Sequence, residues 1–285
     1  LAKPLLQTWT LRSRKKILDL LAQVRPHVIL CTQALPAAIL AKLKEEGDSN
    51  EPGMDAPVYA AVTDFSIHRY WPLQSSSGFF VPGREECSKL ISMGAPPDRI
   101  TPSGIPIHPD LAAEVSAGEI AAARQKYNLD PARPTLLLMG GSRGIGINTA
   151  LLKELEHLPF PVNILAPAGT NPMAFEILGR FSAESRHCVV PLPYCPDIRT
   201  LYALSDLAIT KPGGLTIAEC MAVGLPMIIH HALPGQERHN LEYLLRTGLG
   251  EAGSSPSDVV ARAGSLLMDH SRRSILRLRL KSAAR

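Results

Sequence analysis

Between residues 135 and 247 short apolar runs and helical stretches alternate without a break, and this alternation limits the fold more than any other property of the chain. The runs are 135–139, 162–167, 188–192, "LAIT" at 207–210 and "PMIIH" at 226–230. After the first of them Leu151, Leu152, Leu155 and Leu158 recur at helical spacing. Helices also read over 173–182, from Pro196 in the favoured first helical position, over 215–223 and over 238–247. Short, wholly apolar strands joined through helices belong to a parallel sheet covered on both faces. Ligands of such sheets sit at the carboxyl ends of the strands. The loops "GGSRGIG" (140–146), "KPGG" (211–214) and "HALPGQE" (231–237) each follow a strand, so they are expected to converge on one cleft.

The first of these loops, in "TLLLMGGSRGIGIN", reads like the cofactor loop of a short-chain dehydrogenase. A strand, a glycine turn and a helix N-terminus offer free backbone N–H groups and a positive dipole end to an anion. That combination specifies phosphate and little more. A dinucleotide fold also needs a charged ribose reader about 20 residues on, at the end of the next strand. That strand, "VNILAP", has no charge. None of the six tyrosines has lysine four residues later, and the loop lies near mid-chain. A dinucleotide oxidoreductase therefore ranks last among the alternatives.

The 285 residues suffice for one large or two ordinary domains, at 45% hydrophobic and 20% charged. No apolar run reaches the roughly 20 residues that span a bilayer. A net charge of +4 is too small to argue for nucleic acid, and no nucleic-acid partner is expected. Five cysteines at 31, 87, 188, 195 and 220 show no metal-like spacing and read as reduced thiols of a cytoplasmic protein. The first half reads as a helix over 5–24 with a basic cluster at 12–16, then strands in "HVILCTQ", "VYAAVTDF", "GFFVPG" and "RITPSGIPI". Helices fall between them at 37–47 and 85–94, with a polar loop at 48–57. A proline-rich linker follows a helix within 111–134, and the domains are drawn as 1–120 and 121–285.

The stretch "SDLAITKPGGLTIAECMAVGLPMIIHHALPGQERHN", 205 to 240, closely resembles the donor-binding segment of glycosyltransferase family 28. The resemblance is to the diacylglycerol glucosyl- and galactosyltransferases, relatives of the N-acetylglucosaminyl transferase of peptidoglycan lipid intermediates. It extends through "VTDFSIHRYW", "SGIPIHPDL" and "LLLMGGSRGIG", about residues 58 to 250. It implies the α/β GT-B fold: two Rossmann-like halves with parallel sheets facing a cleft, the N-terminal half here incomplete. It also implies a UDP-sugar, UDP-glucose or UDP-galactose, in the second half, and a lipid acceptor on the first.

The residue chemistry agrees. Gly213 and Gly214 let the backbone approach a diphosphate where a helix begins, and Thr216 adds a hydroxyl donor. Glu219, three residues on, can accept from both ribose hydroxyls, or can compensate the helix dipole. Resemblance favours the ribose. Gln236, Glu237 and Asn240 read either as a helix-capping cluster or, by resemblance, as partners of the sugar hydroxyls. Gly141, Ser142 and Gly144 line the sugar-phosphate side, with Arg143 more doubtful and Lys211 a secondary positive charge.

In-line transfer inverts the donor linkage and requires a base for the acceptor hydroxyl and a stabilised leaving diphosphate. The helix N-terminus does the second task, so neither cofactor nor metal is implied. Asp64 and His68 are the base candidates, each equally open to an orienting or structural role. Trp71 and the basic ends 12–16 and "SRRSILRLRLK" are candidates for peripheral contact with an anionic membrane on its cytoplasmic face, the first equally readable as packing and the basic ends as solvated helix faces. Two further alternatives stand: a non-catalytic UDP-sugar-binding module, and an enzyme like UDP-N-acetylglucosamine 2-epimerase. The family's glycine-rich loop ending in histidine does not occur in residues 1–110. The chain alone is therefore expected to show little transfer from UDP-glucose to diacylglycerol; robust turnover in that assay contradicts the expectation.

Overall fold

The computed structural model describes residues 2–46, 51–144 and 147–284, without the side chains of residues 2–12 and Ala112. Arg12 of the basic cluster, Gly47, part of the polar loop and the end of the first glycine loop thus lie outside the described residues. The chain packs as two compact units, Leu1–Pro106 and Ile107–Arg285.

In the first unit α1 (Ala2–Val24), β1 (Ile29–Cys31), α2 (Ala34–Glu45), β2 (Val58–Ala61), β3 (Gly78–Val81), α3 (Arg84–Ser92) and β4 (Ile100–Pro102) follow in order. The four strands form a parallel sheet in the order β1-β2-β3-β4. Its apolar core gathers Leu21, Leu40, Leu43, Val58, Ala60, Phe79, Val81 and Leu90. Trp71 is 5% exposed and belongs to that core, so the aromatic considered for lipid contact packs inside the unit instead.

The second unit continues with α4 (Ala117–Lys126), β5 (Thr135–Leu138), α5 (Thr149–Leu155), β6 (Asn163–Pro167), α6 (Pro172–Glu184), β7 (Cys188–Leu192), α7 (Ile198–Leu204) and β8 (Leu207–Thr210). Then come α8 (Gly214–Val223), β9 (Met227–Ile229), α9 (Gln236–Thr247), β10 (Glu251–Ala252), α10 (Pro256–Met268) and α11 (His270–Ala283). All six strands are parallel, in the order β10-β9-β8-β5-β6-β7. Every residue of β5, β6, β8 and β9 is buried, the signature of a sheet covered on both faces.

The alternation seen in the sequence is thus a Rossmann-like sheet. The unit boundary falls at 106/107, ahead of the 120/121 division drawn from sequence. Arg199 of α7 draws the intervening segment onto the second unit, donating to the carbonyls of Ala113 at 3.2 Å and Glu114 at 2.6 Å and pairing with Glu119. Ser116 and Glu119 form a reciprocal capping box that starts α4 there. At α7 the sequence pointed to Pro196 as the first helical residue; Asp197 is instead the N-cap, its carboxylate accepting from the Thr200 backbone and hydroxyl.

His187 fixes the junction of α5, β6 and β7. It is 5% exposed; its Nδ1 accepts from the Val162 N–H at 3.3 Å and its Nε2 lies 2.8 Å from the Leu155 carbonyl. That pattern requires the neutral ring with the proton on Nε2, and burial lowers its pKa below the ordinary value. The unfolded chain therefore takes up a proton that the folded chain resists. Stability should hold above neutral pH and fall as pH drops below about 6.5. His187→Asn should lessen that slope in urea denaturation followed by circular dichroism. An unchanged slope would contradict the assignment.

Candidate functional site

The order of the second sheet creates a crevice. β5 and β8 are adjacent, and the chain leaves β5 toward β6 and β8 toward β9, in opposite directions across the sheet. Their carboxyl ends carry the two glycine-rich loops, at the place where open parallel sheets bind ligands.

After β5, the turn 141–144 closes through the Gly144 N–H to the Gly141 carbonyl at 2.9 Å. Gly144 is buried at φ +60°, and a Cβ there would lie 2.4 Å from the Ala168 carbonyl oxygen. The turn is held from below: the Thr170 N–H donates to the Ser142 carbonyl at 2.8 Å. Gly141, Ser142 and Arg143 remain exposed.

After β8, the chain passes Lys211, Pro212 and Gly213 into α8. Gly213 is the N-cap, with no side chain capping the helix, so the first-turn N–H groups are not taken by a side chain at the cap. Thr216 is half-exposed in that first turn. Glu219 lies in the second turn, beyond the reach of the dipole's main effect, which weakens the compensation reading. Its Oε2 accepts from the Tyr202 hydroxyl at 2.8 Å, and its pKa is raised by burial against the lowering effect of that bond. Tyr202 is 3% exposed on α7, its own pKa pushed well up by burial, so it stays a donor and fixes the carboxylate.

The third loop has a division of labour that sequence did not reveal. Gln236 is exposed at the start of α9. Glu237 spends both oxygens within the protein, Oε1 on the Lys211 ammonium and Oε2 on the Leu233 N–H, each at 2.8 Å. Asn240 is fully buried, and its amide donates to the Pro212 carbonyl at 3.0 Å. Of the three residues read as facing sugar hydroxyls, the structure exposes Gln236 and puts Asn240 beneath the Pro212–Gly213 turn. His230, at the end of β9, adds a buried Nε2; burial and the neighbouring His231 and Lys211 charges lower its pKa to about 4.

Asp64 and His68 belong to the first unit, in the segment after β2, and both are half-buried. The His68 Nδ1 accepts from the Tyr70 N–H at 3.3 Å, and the two rings are 4.7 Å apart. The basic C-terminal stretch is largely committed to the fold. Arg272 pairs with Glu251 at 2.6 Å, Arg273 donates to the carbonyls of Leu266 and Leu267, and Arg279 donates to the Thr247 carbonyl at 2.8 Å. Arg277 reaches the Ser205 carbonyl at 3.2 Å. The described residues hold no cluster of three or more metal-ligating side chains and no helix long and apolar enough to cross a membrane.

The fold is that of the GT-B class, matching the Acinetobacter baumannii MurG structure with a TM-score of 0.64 at 16% identity, over 96% of this chain and 73% of that one. A structure of Anabaena HepE in complex with UDP and glucose matches with a TM-score of 0.61 at 15% identity, over 95% of this chain and 75% of that one. Residues 3–107 match the monogalactosyldiacylglycerol (MGDG) synthase model, and residues 135–243 match the glycosyltransferase family 28 C-terminal domain. The two matches lie in succession along the chain, an MGDG synthase region followed by a family 28 C-terminal domain, and together mark it as similar to the glycosyltransferases of this family. The processive diacylglycerol beta-glucosyltransferase of Bacillus subtilis (strain 168) is 28% identical over 255 residues, 90% of this chain and 64% of the relative. That of Staphylococcus carnosus is 28% identical over 256 residues, 89% of this chain and 62% of the relative. The chain thus spans less than two thirds of the length of either.

Nothing in the spacing of 205–240 marks Asn240 as inward or Tyr202 as the partner of Glu219. Asn240→Ala should cost about 1–3 kcal/mol through the lost buried hydrogen bond. Gln236→Ala should stay within about 0.5 kcal/mol, as at an exposed site. Denaturation midpoints check both, and equal effects would contradict the division of labour.

Proposed function

We propose that the second unit holds a UDP-hexose, UDP-glucose or UDP-galactose, and that the protein transfers the hexose to a diacylglycerol-type lipid with inversion. The observation that carries this reading is the α8 N-terminus, free of a side-chain cap, at the β5/β8 crevice, with Glu219 fixed by Tyr202 in the next turn. The helix N-terminus stabilises the leaving diphosphate through its N–H groups and dipole. Thr216 adds a hydroxyl, Glu219 accepts from the ribose, and Gly141, Ser142 and Gly144 border the sugar phosphate. Gln236 serves the hexose hydroxyls, while Glu237, committed to Lys211 and Leu233, and Asn240, under the Pro212–Gly213 turn, hold the loops beneath them. The proposal uses no divalent metal. Asp64 or His68 takes the acceptor proton.

The similarity to family 28 supports the reaction type, and the diacylglycerol glucosyltransferase relatives support the lipid acceptor. The ribose contact is tested by isothermal titration of UDP against 2′-deoxy-UDP. A hydrogen bond to a charged group contributes about 1.5–3 kcal/mol, roughly 10- to 150-fold in affinity. The natural protein should prefer UDP by a factor in that range, and Glu219→Ala should bring the two ligands together. An unchanged preference in the variant would remove Glu219 from the ribose.

Peripheral membrane contact on the cytoplasmic face is assigned to α1. Lys15 and Lys16 are exposed, and Leu20 and Val24 are 56% and 60% exposed. Lys16, Leu20 and Val24 recur every four residues, so they share one helix face, apolar beside cationic. Flotation with vesicles containing anionic lipid should recover the protein at low salt and lose it at high salt. Lys15→Glu with Lys16→Glu should abolish recovery, and persistence would contradict this contact.

A further inference from the structure

Lys211 occupies a singular place in the second unit. It follows β8 directly, at the crevice, and its side chain is only 13% exposed. Its ammonium is 2.8 Å from the Glu237 Oε1, and a Cβ on Gly141 would stand 3.8 Å from the same nitrogen. One lysine thus bridges the loops after β5, β8 and β9. Its anchor is itself immobilised, because the other Glu237 oxygen takes the Leu233 N–H at 2.8 Å and Glu237 is 18% exposed. A lysine stem has four rotatable carbons and normally holds no fixed direction. Here the clamp sets its direction before any ligand arrives.

The geometry points to Lys211, oriented by Glu237, as the charge that selects a nucleoside diphosphate over the monophosphate in the donor site. This deepens the donor-site reading and rests on it. The α8 N–H groups attract any phosphate through partial charges. A full ammonium, carried three residues before α8 and held beside the glycine turn, adds attraction for the second phosphate, whose charge the monophosphate lacks. An ammonium has three donors, and Glu237 takes one of them. Arg143 offers a competing cation, exposed on the glycine turn. Lys211 differs from it in being partly desolvated and held, which strengthens its interaction with an arriving charge. Glu237 acts here as a positioning residue.

Isothermal titration with UDP, UMP and uridine reads the proposal as a ratio of affinities. Lys211→Met alone leaves a nearly buried carboxylate without its partner and can unfold the loop. Lys211→Met combined with Glu237→Gln removes both charges at similar volume and avoids that penalty. The double variant should lose at least tenfold in UDP affinity while UMP and uridine change less than threefold. Lys211→Arg should recover much of the ratio, and Arg143→Met should leave it within twofold. Glu237→Gln alone should lower the ratio with unchanged uridine affinity, a result that mere loop loosening would not give. If the natural protein binds UDP but the double variant keeps its UDP-to-UMP ratio, Lys211 is not the selecting charge. If the natural protein binds neither nucleotide, the donor-site reading itself fails.

Discussion

The second unit depends on two adjacent parallel strands, β5 and β8, from which the chain departs in opposite directions. Four strands buried along their whole length, β5, β6, β8 and β9, leave no polar opening among them except at their ends. The reversal at β5 and β8 holds the loops apart there, and a crevice results. Residue 139 leads into a glycine turn and residue 211 into a helix whose N-cap has no side-chain partner. Both loops therefore present backbone N–H groups from a rigid floor. The remaining polar side chains of the site serve to keep these loops in place or to add charge between them.

A layer of supporting hydrogen bonds holds these loops in place. Asn240 lies under the Pro212–Gly213 turn, Tyr202 steadies Glu219, Thr170 holds Ser142, and Glu237 ties Lys211 to Leu233. The Asn240, Tyr202–Glu219 and Glu237 bonds pair buried or half-buried polar groups that would cost stability if left alone, whereas Thr170 and Ser142 are exposed. The consequence for binding is preorganisation: the donors are aimed before a ligand arrives, so little ordering is left for the binding step. The C-terminal helix extends the same economy of charge, with Arg273 and Arg279 placed on carbonyls at the ends of α10 and α9. A basic stretch that reads as a lipid-facing surface in one dimension becomes a set of helix-end clamps in three.

Strand-and-helix alternation and the three loops were legible because period and glycine content are local properties. That these loops follow the carboxyl ends of a parallel sheet came from general rules. The strand order, and with it the reversal between β5 and β8, is set by long-range pairing that no local pattern carries. Asn240 and Tyr202 were not legible, since an amide or hydroxyl looks the same in sequence whether it faces a ligand or a neighbouring loop. Gln236 and Asn240 lie four apart on one helix, yet α9 turns one outward and buries the other against Pro212. The boundary near 120 misplaced the segment that Arg199 draws onto the second unit, a contact across more than eighty residues that no local pattern encodes. Trp71 was open in sequence to lipid contact or to packing, and the structure places it in the core.

The most direct measurement is an amide nuclear magnetic resonance titration of the isotopically labelled protein with UDP. The account predicts the largest shifts at the N–H groups of Gly214, Leu215 and Thr216 and of the 141–144 turn, saturating together. Perturbations confined to other strand ends, with these amides unmoved, would contradict it.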